Sequence, residues 1–293
     1  MIPEALADKT AVVNPSSVTL DNGHTIAYGE YGDPGGTPVV FFHGTPGSRI
    51  LARLFDSAAA ASGVRLLTFD RPGFGRSDPW PTRSISDSGA VVTAVLDDAD
   101  AATTSLLAFS GGSQHAIATA ATDSDRITNV DIVSGATPPA VSDSNPPLQR
   151  VLGTLATRAP LVLRGLFRGQ AWVAERREPS FVVSQYRGDD SNTSIDDQVA
   201  MTVKTDFLEA VSNSRHGVVT EFQNTASDWG IDFSTLNVPV TFWHGSNDTN
   251  VPLENVRRFN RAVPNGTLRV NKTADHIQTL VESVPAIFDQ MAP

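Results

Sequence analysis

Short, continuous apolar runs alternate with helical segments along most of this chain, and that alternation is the strongest constraint on its fold. Pro38-Val39-Val40-Phe41-Phe42, the run from Val64 to Phe69, and Ser105-Leu106-Leu107-Ala108-Phe109 read as strands. They carry too little polarity to keep one face in water, as expected of strands covered on both sides. Helical patterns follow them, from about 49 to 61, over 84–102 and from Gly112 to about Ala121, with Ser84 or Ser86 placed to cap the second. Residues 25–31 and 127–133 give two further strands. Parallel strands need crossover connections, and helices are the usual ones, so the pattern predicts a doubly wound, mostly parallel α/β sheet. The rhythm stops near Pro138 and returns with a strand over 239–243, a helix near 252–262, a strand over 267–270 and a helix over 277–290. The stretch between is mainly helical. We therefore expect an α/β core built from 1–137 and 229–293, interrupted by a helical insertion over 138–228.

Composition narrows the chemistry. The chain has 293 residues and a net charge of −10, from 32 acidic and 22 basic side chains. A nucleic-acid binder must supply clustered Lys and Arg to phosphates, so that class is excluded. The absence of cysteine removes disulfides, a thiolate nucleophile and cysteine-based metal sites. The six histidines (24, 43, 115, 216, 244 and 276) are scattered, and no two form the helical i, i+4 pair of a zinc site. No metal or other cofactor is expected. No apolar run approaches the roughly 20 residues of a membrane span. The first residues lack the basic and apolar regions of a secretory signal, so a cytoplasmic location is expected. The expected partner is a small-molecule substrate, with a homodimer open. The charges are 24 Asp, 8 Glu, 19 Arg and only 3 Lys; a salt-loving source or a GC-rich genome would each produce that bias.

Four features carry the chemistry, each following its own strand. Ala108-Phe109-Ser110-Gly111-Gly112 joins an apolar strand to a helix. A serine on so tight a turn is presented at the strand's C-terminal edge, beside the amide donors of the helix start. The pattern is G-x-S-x-G with Ala108 at the first position, small enough for the same close approach. His43-Gly44-Thr45-Pro46-Gly47 follows the 38–42 strand. A nucleophilic serine needs N–H donors aimed at the developing oxyanion, and Gly111 and Thr45 are the candidates, since Pro46 has no N–H. Here His43 is expected to brace the loop rather than act as a base. Asp248 lies in Gly245-Ser246-Asn247-Asp248-Thr249-Asn250-Val251-Pro252, and His276 comes 28 residues later. His276 would take the Ser110 proton while Asp248 holds the imidazole in the right tautomer. Asp275 stands beside His276 and is the competing acid.

On these residues, and on the turn Phe69-Asp70-Arg71-Pro72-Gly73-Phe74-Gly75-Arg76-Ser77, the chain closely resembles the α/β-hydrolase superfamily. The order Ser110, Asp248, His276 is that family's, and the matching motifs span residues 25–290. The resemblance implies an α/β-hydrolase fold in which these three are nucleophile, acid and base, with Thr45 and Gly111 as oxyanion donors. It also implies that the insertion forms a cap over the site, and that Asp70 and Arg71 are structural. His115, one turn beyond Ser110, is expected to pack or hydrogen-bond locally.

Three functions compete. The first is a serine hydrolase cleaving a small or medium, largely apolar carboxylic ester or lactone. The second is an aminopeptidase of the prolyl iminopeptidase kind, which would need Glu175 or Glu178 to hold a substrate amine. The third is a catalytically dead hydrolase that binds ligands. The arginines of 139–190 read mostly as a solvated helical face, with a cationic pocket rim as the alternative.

Overall fold

The computed structural model describes residues 15–142, 146–186 and 195–291. Its strands are β1 (Ser16–Thr19), β2 (Thr25–Gly32), β3 (Thr37–Phe42), β4 (Val64–Phe69), β5 (Thr104–Phe109), β6 (Ile127–Val133), β7 (Val240–Gly245) and β8 (Gly266–Asn271). They form one eight-stranded sheet in the order β1-β2-β4-β3-β5-β6-β7-β8. The β1–β2 and β2–β4 pairs are antiparallel, and the rest are parallel. The doubly wound sheet is thus as expected, with an antiparallel edge. β1 has no counterpart in the sequence reading, because four mostly exposed residues carry no apolar alternation.

The helices are α1 (Asp56–Ala61), α2 (Ser88–Asp98), α3 (Ser113–Thr122), α4 (Pro147–Arg158), α5 (Pro160–Arg176), α6 (Pro179–Val183), α7 (Asp197–Ala210), α8 (His216–Ala226), α9 (Leu253–Ala262) and α10 (His276–Met291). α4 to α8 all lie between β6 and β7, where the strand rhythm stops. α2 is shorter than the 84–102 expected. Ser84 does not cap it: the Asp87 carboxylate accepts the Ser84 amide at 2.6 Å and its hydroxyl at 2.9 Å, holding a turn ahead of the helix. At the other end Asp100 adopts a left-handed φ of 52° and stops it. The segment from 49 to 61 is a 3₁₀ stretch, Arg49–Phe55, running into α1, with the Ser48 hydroxyl accepting the Ile50 amide.

Both sheet faces are covered, which is why the central strands are apolar throughout. Successive residues of a strand point to opposite faces. Val40 and Leu106 pack with α2, α3 and α9 through Val95, Ile117 and Phe259. Val39, Phe41 and Leu107 face the other way, onto Phe55, Leu280 and Ile287, in a cluster continuous with Phe167 and Phe207 of the inserted helices. The insertion therefore shares a core with the sheet, above the C-terminal ends of β5 and β7.

Candidate active site

Ser110 sits where β5 ends and a 3₁₀ turn, Ser110–Gly112, leads into α3. Its φ is 51°, a left-handed conformation that costs a non-glycine residue energy and is held by its surroundings. Close packing does the holding. A Cβ on Gly112 would lie 2.6 Å from the Phe42 carbonyl oxygen of β3, so only glycine lets the two strands' ends meet there. Gly111 is packed against Thr45: a Cβ at Gly111 would lie 2.3 Å from the Thr45 hydroxyl. The two residues expected to donate to an oxyanion are thus brought side by side, next to Ser110.

His276 begins α10 and is buried. Its Nδ1 lies 2.7 Å from Asp248 Oδ2. The other carboxylate oxygen, Oδ1, accepts the Asn250 and Val251 amides, each at 2.9 Å. Burial alone would raise the Asp248 pKa, but the His276 charge and hydrogen bond, with help from His244 and the Val251 amide, bring it below the usual range. Asp275 does something else: its Oδ1 accepts the Gln278 amide at 2.9 Å, in the N-cap position of α10. The imidazole of His276 lies against Phe109, centroids 4.9 Å apart, and stacks near-parallel to Tyr186 at 6.2 Å. Tyr186 was not legible as a site residue; nothing near it in sequence points to His276.

The loop carrying Thr45 is braced from below by buried charge. His43 Nδ1 donates to the Gly44 carbonyl at 2.8 Å, and its Nε2 accepts the Arg71 amide at 3.2 Å. Burial, then Arg71, holds the imidazole well below its ordinary pKa, so it is neutral and acts as a brace. The Arg71 guanidinium donates to the His43 carbonyl, to the Gly44 carbonyl at 3.0 Å and to Thr45 Oγ1 at 2.8 Å. Its countercharge is Glu221 of α8, at 3.3 Å. Glu221 has no exposed surface and also meets Arg83, Gln114 and His115. Burial opposes its ionisation, but Arg71, His115 and Arg83 win and hold its pKa well below the carboxylate range. His115, lowered to about 4 mainly by burial, is neutral and bridges Ser88 and Glu221. The adjacent Gln114 amide nitrogen lies 3.3 Å from its Nε2, as a local contact would have it, while Ser88 and Glu221 are distant in sequence. Glu221 was missed because an isolated Glu in a helix looks solvent-facing; only its three cationic or imidazole partners reveal it.

A second acid of the insertion, Asp206 on α7, lies under the same loop, its Oδ1 accepting the Ser48 amide and hydroxyl, each at 2.7 Å. Burial pushes its carboxyl up from 3.8 to about 7, against the lowering pull of Ser48. The unfolded chain therefore releases this proton first, and the contribution of Asp206 to stability falls as pH rises from about 4 to about 7. Asp206→Asn keeps the accepting oxygen without the ionisation. We expect the variant to melt higher than the parent at about pH 8 and equally at about pH 4, by roughly 2–4 °C for each kcal/mol recovered. Thermal melts at the two pH values check this; no difference at the higher one would mean that Asp206 ionises freely in the fold.

Ser110, Gly111, Thr45 and His276 all line one open cavity of about 900 Å³. α4, α5 and α8 wall it with Leu152, Leu166, Phe167 and Phe222. Its only Arg or Lys side chains are Arg150 and Arg158, and no Asp or Glu lines it among the described residues. The described residues hold no cluster of three or more His, Cys, Asp or Glu able to bind a metal ion.

Comparison with known proteins agrees with the fold. The family described as alpha/beta hydrolase fold matches residues 37–283. A non-heme chloroperoxidase of Streptomyces lividans is 28% identical over 242 residues, covering 80% of this chain and 83% of that protein. The bromoperoxidase structure from Bacillus anthracis superposes with a TM-score of 0.73 at 19% identity, covering 94% of this chain and 97% of that one. An esterase from Exiguobacterium antarcticum gives 0.70 at 15% identity, with 94% and 99% covered. With an elbow serine, a sheet of this order and a family match across most of its length, the chain belongs to the α/β-hydrolase fold family.

Proposed function

We propose that this protein is a serine hydrolase that cleaves a medium-sized, largely apolar carboxylic ester or lactone through an acyl-enzyme on Ser110. The observation that carries the reading is the 2.7 Å contact of Asp248 with Nδ1 of His276, an imidazole that lines the same cavity as Ser110. With Nδ1 engaged, the free Nε2 is the imidazole atom left to take the Ser110 proton. Ser110 Oγ attacks the ester carbonyl, and the Thr45 and Gly111 amides stabilise the oxyanion. The tetrahedral intermediate expels its alkoxide, which receives the proton from His276. Water then attacks the acyl-enzyme by the same route in reverse, releasing the acid. α4 to α8, within residues 138–228, serve as the cap. They supply apolar walls, and a cavity of about 900 Å³ suits a drug-sized substrate better than the smallest esters.

Against the aminopeptidase reading stands the cavity lining. A substrate ammonium needs a carboxylate, and neither Glu175 nor Glu178 is among the lining residues. Glu221 is committed to two arginines.

A panel of p-nitrophenyl esters of graded chain length, set beside proline p-nitroanilide, tests the proposal. We expect esterase activity rising from acetate to medium chains, with the anilide inert; anilide cleavage without esterase activity would overturn it. Separate replacements identify the acid. Asp248→Asn should lower kcat by about 10³- to 10⁴-fold, whereas Asp275→Asn, which keeps a capping oxygen, should change it by less than about tenfold. The reverse order would make Asp275 the acid.

A further inference from the structure

The outer face of the inserted helices has a composition that the hydrolytic chemistry does not need. Among the described residues nine large apolar side chains are exposed, and six of them are Leu148, Val151, Leu161, Val162, Leu166 and Trp172 on α4 and α5. They range from 52% to 75% exposed, far beyond the scattered single apolar residues of an ordinary surface. Charge on the same two helices is inverted relative to the chain. Residues 147–176 hold five Arg and one Glu, a net +4, in a protein of net −10, so everything else carries −14. Three acids of the insertion turn the other way: Asp206, Glu209 and Glu221 are held by Ser48, Arg49 and Arg71, while Glu175, Asp196 and Asp197 stay exposed. Arginines and apolar groups are left interleaved on the outside.

We propose that this outer face of α4 and α5 docks on an anionic lipid surface, from which the enzyme draws an amphiphilic acyl ester. The second clause rests on the hydrolase reading above; the first does not. Apolar side chains flanked by Arg are what a helix lying in a bilayer interface presents, its apolar groups entering the acyl boundary while the cations meet headgroups. Trp172 has the matching chemistry, exposed and with the Arg176 guanidinium 4.3 Å over its ring. The negative remainder of the molecule is repelled by the same surface, so one orientation is selected. Continuity with the site separates a lipid from a folded protein partner. Leu148 and Leu166 belong both to the exposed patch and to the cavity lining, so an acyl chain can pass from a bilayer towards Ser110 along apolar surface. Pairing of this face with its counterpart on a second copy would oppose two cationic surfaces. The docking is peripheral: no helix of the described residues is long and apolar enough to cross a membrane.

Co-sedimentation with phospholipid vesicles tests the docking without any substrate. At low salt the protein should pellet with equimolar phosphatidylglycerol–phosphatidylcholine vesicles, stay in solution with phosphatidylcholine alone, and be released by molar NaCl. Leu161→Ser combined with Trp172→Ser should weaken the anionic partition by about tenfold or more and leave cleavage of a soluble short ester unchanged. Ser110→Ala should pellet like the parent. Failure to pellet with anionic vesicles, or equal pelleting of the double variant, overturns the docking. So does a dimer in sedimentation velocity that the double variant dissociates, since a second copy would then own the face. If vesicles are bound but no ester is cleaved, the hydrolase reading fails and the docking stands.

Discussion

Replacing Ser110 by alanine leaves a folded protein whose turnover of p-nitrophenyl esters falls by about ten-thousandfold or more. On the proposed mechanism the size follows from losing covalent catalysis altogether, because the acyl-enzyme on which His276 and the oxyanion donors would act cannot form. Folding is retained because alanine meets the same backbone restriction at a φ of 51° that serine already bears. A fluorophosphonate probe gives the same answer by a second route: peptide mapping should find the label on the peptide containing Ser110 and none on the alanine variant. Label on another serine, or a variant with near-parental turnover, would move the nucleophile elsewhere.

Removing Glu221 has the largest expected effect on stability. Glu221→Ala leaves the Arg71 and Arg83 guanidinium groups buried without their countercharge, and breaking a buried pair in this way costs about 3–5 kcal/mol. Glu221→Gln, of the same shape, should lose less because its amide oxygen still accepts. Denaturant unfolding of the three proteins checks the order. The pH dependence has a definite sign. Glu221 is held well below its usual pKa, so its advantage over glutamine is full above about pH 4.5, the unfolded carboxylate value, and disappears only in stronger acid. Activity should respond as well. Arg71 joins Glu221 to the Gly44 carbonyl and the Thr45 hydroxyl, so a glutamine variant that remains folded should lose kcat more than it changes KM. Equal stability of Glu221→Ala and the parent would mean that the two arginines are solvated rather than paired.

Much of this was legible in the chain itself. Apolar runs such as Val39 to Phe42 and Leu106 to Phe109 can exist in water only if both faces are covered, which is enough to imply the parallel sheet and its helices. The elbow at Ser110 and the loop at Thr45 were legible because close backbone approach restricts residue choice: Gly111 and Gly112 admit no side chain beside Thr45 and β3. The ends of α2 and the short β1 were less so, since side chain–backbone bonds such as Ser84 to Asp87 compete with the helix and a solvated edge leaves no apolar signature.

What the linear order could not carry is which charged groups meet. Asp248 and Asp275 were both candidates as partner of His276. The loop after β7 brings Asp248 to Nδ1, while the start of α10 turns Asp275 onto the Gln278 amide. Glu221 and Arg71 are 150 residues apart, and nothing local distinguishes either from a surface charge. Arg150 and Arg158 look much like the other arginines of their segment, yet the fold sets them on the cavity wall. Apolar burial is proportional to local composition and so can be read from short windows of sequence. The state of a charge depends on what chain folding places within a few ångströms of it, and that only the tertiary structure decides.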